Sequence, residues 1–442
     1  MKVTIVGAGK SGIAAAKLAK KLNYQVSLSE SKASSDFENE IEILKSLNIK
    51  YEFSGHSSKF LKSSDLVVTS PGVPPKNLII KEAEHKGIPI ISELEFGWRH
   101  LKNKSIAITG TNGKTTTTSL IAFILNNSGK KAIACGNIGT PISDLYGNID
   151  DDTILVIEAS SYQLDRIVNF SPDVSLILNI TPDHLAYHST YENYILAKWK
   201  ISSMQNEKNL LILNKDDETI LKNILPSKAK IQFFSYSQVD WGIYVKGEHL
   251  YFKSANKEEL LMNISEISIP GVHNVYNSMA AALASRAFEI RNEDIRDSLM
   301  KFQGVEHRLE YVRTLNSVDF INDSKATNIN AAWYALSSYN SPLIWIAGGR
   351  ADSNDYSLLE DIVLKNVKCI VTIGEESNNI FNHFCHKIRC IKEDNLESAV
   401  KSAFEQSSEG DKIIFTPACK SFDMFLNYEH RGEVFKQIVN SL

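Results

Sequence analysis

A lysine that follows a glycine and precedes four threonines is suited to binding phosphate. Gly110-Thr111-Asn112-Gly113-Lys114-Thr115 runs out of an apolar stretch, Ser105–Thr109, into a helical one, Thr115–Leu125. Glycines there let backbone N–H groups face an anion, and the helix N-terminus adds a favourable dipole. Lys114 would lie on the β- and γ-phosphates of a nucleotide, and the Thr115 hydroxyl, followed by Thr116, could hold Mg²⁺. A merely tight turn would need neither the lysine nor the threonines. The full phosphate-loop pattern puts glycine at 108, where this chain has Ile108, so the loop is a shortened variant.

A second glycine loop lies upstream. Gly7-Ala8-Gly9-Lys10-Ser11-Gly12 follows the apolar Val3–Val6, and Glu30 ends the next strand candidate, which satisfies the dinucleotide fingerprint. That pattern alone is weak. Lys10 and Ser11 suit any phosphate, so NAD and a UDP-sugar both fit the loop. The lysine-bearing loop downstream favours a phosphate-bearing substrate over a redox cofactor.

Other polar residues stand where strands end. Glu158 closes Ile154–Ile157, a place from which a carboxylate reaches a metal near the first loop. Asp183 and His184 follow Val174–Leu178, and ligands of open α/β sheets bind at the carboxyl ends of strands. Taken alone, His184 reads as an ordinary hydrogen-bonded histidine; its place in the series raises the functional reading. Asn322-Asp323-Ser324-Lys325-Ala326-Thr327-Asn328 sits where a third set of strands feeds a helix, and Asn328 by itself reads as a helix cap.

These residues need a scaffold of alternating short apolar runs and longer helical stretches, the pattern of parallel α/β domains. The first block has strands at Val3–Val6, Val26–Ser29 and Leu66–Thr69, and a helix over about Ile13–Leu22. The second adds Ser105–Thr109, Ile133–Cys135, Ile154–Ile157, Val174–Leu178 and Leu210–Leu213. Ile231–Ile269, rich in aromatics and alternating residues, predicts a small antiparallel sheet, with a helix over His273–Ala287. The third block has Phe320–Asn322, Leu343–Ala347, Ile370–Ile373 and Ile413–Thr416. Expected boundaries are 1–97, 98–303 and 304–442.

With 442 residues, 43% hydrophobic and 23% charged, the chain has the balance of a multidomain soluble protein. Its 48 basic and 52 acidic residues give a net charge of −4, which argues against nucleic acid or an anionic membrane as partner. Five cysteines without a CxxC pair fit a reducing cytoplasm. His383, Cys385, His386 and Cys390 crowd together but match no common zinc spacing. Glycines interrupt the first apolar run, so it reads as a strand rather than a signal peptide, and no run approaches a membrane-spanning length.

Taken together, these motifs resemble the Mur ligase family over essentially the whole chain. Thr109–Thr115 resembles its ATP loop. Glu158-Ala159-Ser160-Ser161-Tyr162-Gln163, Asn179-Ile180-Thr181-Pro182-Asp183-His184 and His307-Arg308 resemble later blocks. Asn322–Asn328 and Pro417-Ala418-Cys419-Lys420-Ser421-Phe422-Asp423 are similar to the forms in members that add D-glutamate. The resemblance implies three domains: a Rossmann-like N-terminal domain, a central P-loop ATPase-type α/β domain and a Rossmann-like C-terminal domain. It implies ATP-dependent joining of D-glutamate to UDP-N-acetylmuramoyl-L-alanine in the cytoplasm, by a monomer using Mg²⁺, with two ions expected.

By matching position, Lys114, Glu158, His184 and Lys198 would be catalytic, and Thr115, Glu158, His184 and Lys198 would serve the metals. Gly110–Thr116, Asn274, Asn277, Arg308, Asp323 and Lys325 would hold ATP. Ser11, Glu30, Ser31, Ser70, Gly72, Asn137 and Gln163 would line the UDP-substrate, and Thr327, Ser421 and Tyr428 would face D-glutamate. Lys198 falls at the family's carbamylated lysine, although residue type alone makes it a solvated helix lysine. The family's D-glutamate ligases often carry a lysine where this chain has Asp352, which leaves Arg350 as the candidate clamp for a substrate carboxylate. Another amino-acid-adding Mur or folylpolyglutamate-type ligase stays open. An NAD oxidoreductase would leave Lys114 and Asp323–Asn328 idle, and a non-catalytic nucleotide-binding module would not need the metal residues.

Overall fold

Continuous apolar runs of four to seven residues make strands buried on both faces, and here they build three sheets. In the computed structural model, residues 1–339, 342–350 and 354–442 are described. The chain forms two compact units, one of Met1–Glu266 with Tyr276–Met300, the other of Ile267–Val275 with Lys301–Leu442.

The first unit carries two sheets. Strands β1 (Lys2–Val6), β2 (Gln25–Ser29), β3 (Lys50–Glu52), β4 (Leu66–Thr69) and β5 (Ile90–Ser92) form a parallel sheet in the order β3-β2-β1-β4-β5. The second contains β6 (Ser105–Thr109), β7 (Ala132–Gly136), β8 (Ile154–Glu158), β9 (Val174–Ile177), β10 (Leu210–Asn214), β11 (Lys230–Ser235), β12 (Gly242–Lys246), β13 (His249–Ser254) and β14 (Lys257–Asn263). Their order is β14-β13-β12-β11-β10-β9-β6-β8-β7. Every residue of β6 and β8 is buried, as parallel strands covered by helices on both faces must be. The small separate sheet expected over 231–269 is corrected: β11 pairs parallel with β10, so only β12–β14 run antiparallel, as an extension of the main sheet.

A short helix, Glu93–Trp98, joins the two sheets through buried carboxylates. Glu93 accepts the Ser143 N–H at 2.7 Å. Glu95 accepts the N–H groups of Val168, Asn169 and Phe170 at 3.0–3.1 Å and pairs with Arg99. Three donors on one carboxylate are what keep a fully buried charge tolerable.

In the second unit, β15 (Glu310–Leu315), β16 (Val318–Asn322), β17 (Leu343–Gly348), β18 (Val367–Ile373), β19 (Arg389–Lys392) and β20 (Lys412–Phe415) follow the order β15-β16-β20-β17-β18-β19, with only β15 antiparallel. Among the described residues no helix is long and apolar enough to cross a membrane.

Candidate active site

The glycine loop after β1 is closed from within. Gly12 opens the helix Lys10–Lys21 so close to Gly7 that any side chain would collide with the Gly7 carbonyl. Into this turn reaches Glu30, accepting the Ala8 N–H at 2.7 Å, the Lys32 N–H at 3.0 Å and the Ser31 hydroxyl at 3.1 Å. Burial pushes its carboxyl up, and these donors more than offset that, so it lies below the ordinary carboxylate range. Ser70 lies against the same turn, its hydroxyl 3.4 Å from the Gly7 carbonyl, with Gly72 two residues on and Ser11 partly exposed at the helix start. Lys10 donates to the Gly139 carbonyl at 2.5 Å, tying this loop to the segment that carries Asn137.

The loop after β6 is held from its neighbour strand. Asn179, just past β9, brackets one peptide: its Oδ1 accepts the Asn112 N–H at 2.8 Å and its Nδ2 donates to the Asn112 carbonyl at 3.0 Å. Lys114 bends back to the carbonyls of Gly110 and Thr111 at 2.9 and 2.8 Å. Lys198 donates to the same Gly110 carbonyl at 2.7 Å. Thr115 and Thr116 are buried in the first turn of the helix Lys114–Asn127. Asn277 accepts from the Thr117 hydroxyl at 3.2 Å and packs against Gly113, leaving no room there for a side chain.

Lys198 corrects the reading by residue type. It is only 1% exposed, on the buried face of the helix Tyr191–Trp199 and with its ammonium 4.5 Å from the Tyr194 ring centre. Burial, and then the charge of Lys114, push its pKa well below the usual lysine range. His184 is shifted down too, by burial first; Lys114 and Lys198 add to this and Asp183 opposes it. A neutral imidazole is the form that ligates metals.

Glu158 accepts from Asn137 Nδ2 at 2.8 Å through Oε1, while Oε2 is buried with no partner among the described residues. A buried carboxylate oxygen left open costs free energy unless a cation meets it, so the residues present fit a metal here. Gln163 is fully buried; its Oε1 closes a capping box with Ser160 at 2.9–3.0 Å, and its Nε2 has no acceptor among the described residues.

In the second unit, Asp323 follows β16 with Thr416 donating to Oδ2 at 2.8 Å and the Leu309 N–H to Oδ1 at 3.2 Å. Burial pushes its carboxyl up to about 7, against the pull of Thr416 and the Arg308 charge. The Nε of Arg308 has no acceptor among the described residues. Lys325 lies 5.4 Å from the Tyr428 ring centre, and Tyr428 opens the helix Tyr428–Ser441. Thr327 is half-buried and Ser421 buried. Arg350 is exposed, its N–H bonded to the Lys420 carbonyl at 2.9 Å, one residue from Ser421. Asp352 lies outside the described residues. Asn328 caps the helix Ile329–Ser337 through the Ala331 N–H at 2.9 Å, as its type suggested. The Asn274 side chain donates to the Pro270 carbonyl at 2.6 Å.

Comparison with known proteins matches residues 1–92 to the Mur ligase MurD-like N-terminal domain, 108–285 to the Mur ligase middle domain and 307–419 to the Mur ligase glutamate ligase domain. The UDP-N-acetylmuramoylalanine–D-glutamate ligase of Koribacter versatilis is 39% identical over 442 residues, spanning 100% of this chain and 97% of the relative. The chain belongs to the Mur ligase family. The Acidobacterium capsulatum ligase of the same name is 40% identical over 99% of this chain and 96% of its own. Among solved structures, the UDP-N-acetylmuramate-alanine ligase MurC of Thermotoga maritima shares the fold with a TM-score of 0.61 at 18% identity, covering 100% of this chain and 99% of its own. A pseudomurein peptide ligase type C from Methanothermus fervidus does so with 0.60 at 18%, over the same shares.

For a Mur ligase of this sequence, two site residues escaped reading by type and spacing. Asn179 belongs to a family-like motif, yet its double hold on Asn112 has no signature beyond its place after a strand. Tyr194 shares a 3.0 Å hydrogen bond with the Thr111 hydroxyl. Its i,i+4 spacing from Lys198 is the signal that places both on one helix face.

Proposed function

We propose that this Mur ligase joins D-glutamate to UDP-N-acetylmuramoyl-L-alanine in peptidoglycan precursor synthesis, with ATP converted to ADP and phosphate. The observation that carries the reading is the pair of amines on Gly110. Lys114 brings positive charge to the mouth of a phosphate loop, where a triphosphate would neutralise it, and the buried Lys198 amine meets it on the same carbonyl. The division 1–97, 98–303 and 304–442 then gives a UDP-substrate domain, an ATP domain and an amino-acid domain.

A carboxylate has no usable leaving group. Its oxygen therefore attacks the γ-phosphorus, the bond to the β–γ bridging oxygen breaks, and ADP departs. The D-glutamate amine next attacks the acyl carbon of the mixed anhydride; the tetrahedral adduct loses phosphate and the nitrogen loses a proton. Catalysis of the first step rests on positioning and charge neutralisation, supplied here by Lys114 and the helix N-terminus behind it. Mg²⁺, two ions in this reading, would be held by Thr115, Glu158, His184 and Lys198 and would supply further positive charge to the phosphates.

Lys198 fits that role as a carbamate. Its surroundings favour the neutral amine, whose lone pair attacks CO₂; an N–C bond forms as one C–O π bond opens, a proton leaves the nitrogen, and a single negative charge shared by two oxygens replaces the amine. Ser11, Glu30, Ser31, Ser70, Gly72, Asn137 and Gln163 serve the UDP-substrate, Glu30 by shaping the glycine loop. Asn274, Asn277, Arg308, Asp323 and Lys325 serve ATP, and Thr327, Arg350, Ser421 and Tyr428 serve D-glutamate. Phosphate release should require the UDP-substrate and D-glutamate together. Equal release with L-lysine, diaminopimelate or L-alanine in place of D-glutamate would assign the chain to another branch of the family.

A further inference from the structure

One imidazole links the end of β2, the loop after β3 and the N-terminus of the helix Leu78–His85. His56, in the loop after β3, has Nδ1 2.7 Å from the hydroxyl of Ser29, the last residue of β2. Its Nε2 lies 3.0 Å from Asn77 Nδ2. Asn77 caps that helix by accepting the Ile79 N–H on Oδ1 at 3.0 Å, which fixes the amide so that its NH₂ faces the imidazole. The Ser29 hydroxyl lies 2.6 Å from Glu52 Oε1, which can only accept from it. The directions are then determined. Asn77 donates to Nε2, Nδ1–H donates to Ser29, and Ser29 donates to Glu52, so the network closes only with a neutral, Nδ1-protonated histidine.

Asn77 also ends the segment that leads from β4. Two consecutive turns build it, Val73 N–H to the Ser70 carbonyl at 3.2 Å and Asn77 N–H to the Pro74 carbonyl at 3.0 Å, and Pro71, Pro74 and Pro75 stiffen them. At its near end Ser70 touches Gly7 of the glycine loop. A shift at Asn77 is therefore passed back to Ser70 and Gly72.

We infer that His56 is a positioning residue for the UDP-substrate: its neutral ring holds Asn77 and, through two stiff turns, sets Ser70 and Gly72 against the glycine loop. This deepens the reading of Ser70 and Gly72 as UDP-substrate residues and rests on it. Protonation would point an N–H at the Asn77 NH₂. The amide must then retreat or turn over, and turning over removes the helix cap. The charged groups acting on the ring are Glu30 after β2 and Glu52 at the end of β3, both favouring the cation, while burial, the larger influence, favours the neutral form.

The test is calorimetric titration of the full chain with UDP-N-acetylmuramoyl-L-alanine, whose diphosphate diester and carboxylate stay ionised, from about pH 8 to about pH 5. Wild-type affinity should fall on acidification. His56→Ala should bind roughly tenfold more weakly at neutral pH, the effect of one lost hydrogen bond with its partner left unsatisfied, and its affinity should not change across that range. Its kcat and its KM for ATP and D-glutamate should stay as in the wild type. Asn77→Asp keeps the cap but presents only acceptors, so an imidazolium suits it and the acid-side fall should disappear. His56→Ala affinity within twofold of wild type, or an acid-side fall kept in either variant, overturns the inference. A wild type that fails to bind the ligand removes the reading beneath it, and the inference with it.

Discussion

The two glycine loops, after β1 and after β6, have the same strand–turn–helix form and opposite electrostatics. The first receives a carboxylate of its own chain, Glu30, on the Ala8 N–H. The second receives two amines, Lys114 and Lys198, on the Gly110 carbonyl. A backbone cradle alone does not choose its ligand. An internal anion at the first loop discourages a phosphate from settling on that N–H, so in the proposed function the surrounding Ser11, Ser31 and Ser70 would meet the UDP-substrate there. The Lys114 cation and the helix N-terminus at the second suit the most highly charged ligand available, a triphosphate.

Breaking the second loop should have the largest effect. Lys114→Ala, and separately Lys198→Ala, should lower kcat by at least about 10²–10³-fold, the scale of losing a charge aimed at the transition state. UDP-substrate affinity should stay nearly intact, and short added carboxylic acids should partly restore Lys198→Ala alone. Steady-state rates with a parallel UDP-substrate titration check both; equal loss of affinity would mean that the loops are not separate in function.

The third sheet offers an effect of middle size that should spare both loops. Arg350→Ala should raise the KM for D-glutamate by about ten- to a hundredfold, the cost of a charge-assisted bidentate contact. The KM values for ATP and UDP-substrate should move little. An unchanged D-glutamate KM would return carboxylate binding to Lys325, Thr327 and Ser421.

The smallest effect belongs to the first loop. Glu30→Gln should cost roughly 0.5–1.5 kcal/mol of stability at neutral pH, from weakening hydrogen bonds to a charged group without removing them. Because the folded carboxyl lies below its ordinary value of 4.5, its contribution is complete above that value and is lost as pH falls through the folded one. Urea midpoints of wild type and variant should therefore converge in acid; a constant gap down to low pH would show that the charge does not matter.

Much of this was legible in residue order. Buried parallel strands must be continuous apolar runs, and β1, β4, β6, β8, β9, β17 and β20 were found from theirs. The strands β3 and β19 were missed because edge strands as short as Lys50–Glu52 and Arg389–Lys392 bury little and carry no apolar run. The aromatic stretch 231–269 was recognised as β but misjudged as a sheet of its own, since pairing of β11 with β10 joins segments whose periodicity says nothing about neighbours. Lys198 failed reading by type for a sharper reason. Lysines are almost never buried, and only the family resemblance marked it. The closing of Glu30 onto Ala8 is tertiary, and no spacing rule reaches it.

In the proposed reaction, phosphoryl transfer from ATP to the alanyl carboxylate precedes the arrival of the amine. It is tested most directly by following oxygen. With both oxygens of that carboxylate labelled as ¹⁸O, turnover with ATP and D-glutamate should release phosphate carrying one labelled oxygen per molecule, analysed by mass. Unlabelled phosphate, or label found in AMP, would contradict the acyl phosphate and with it the role assigned to the loop around Lys114.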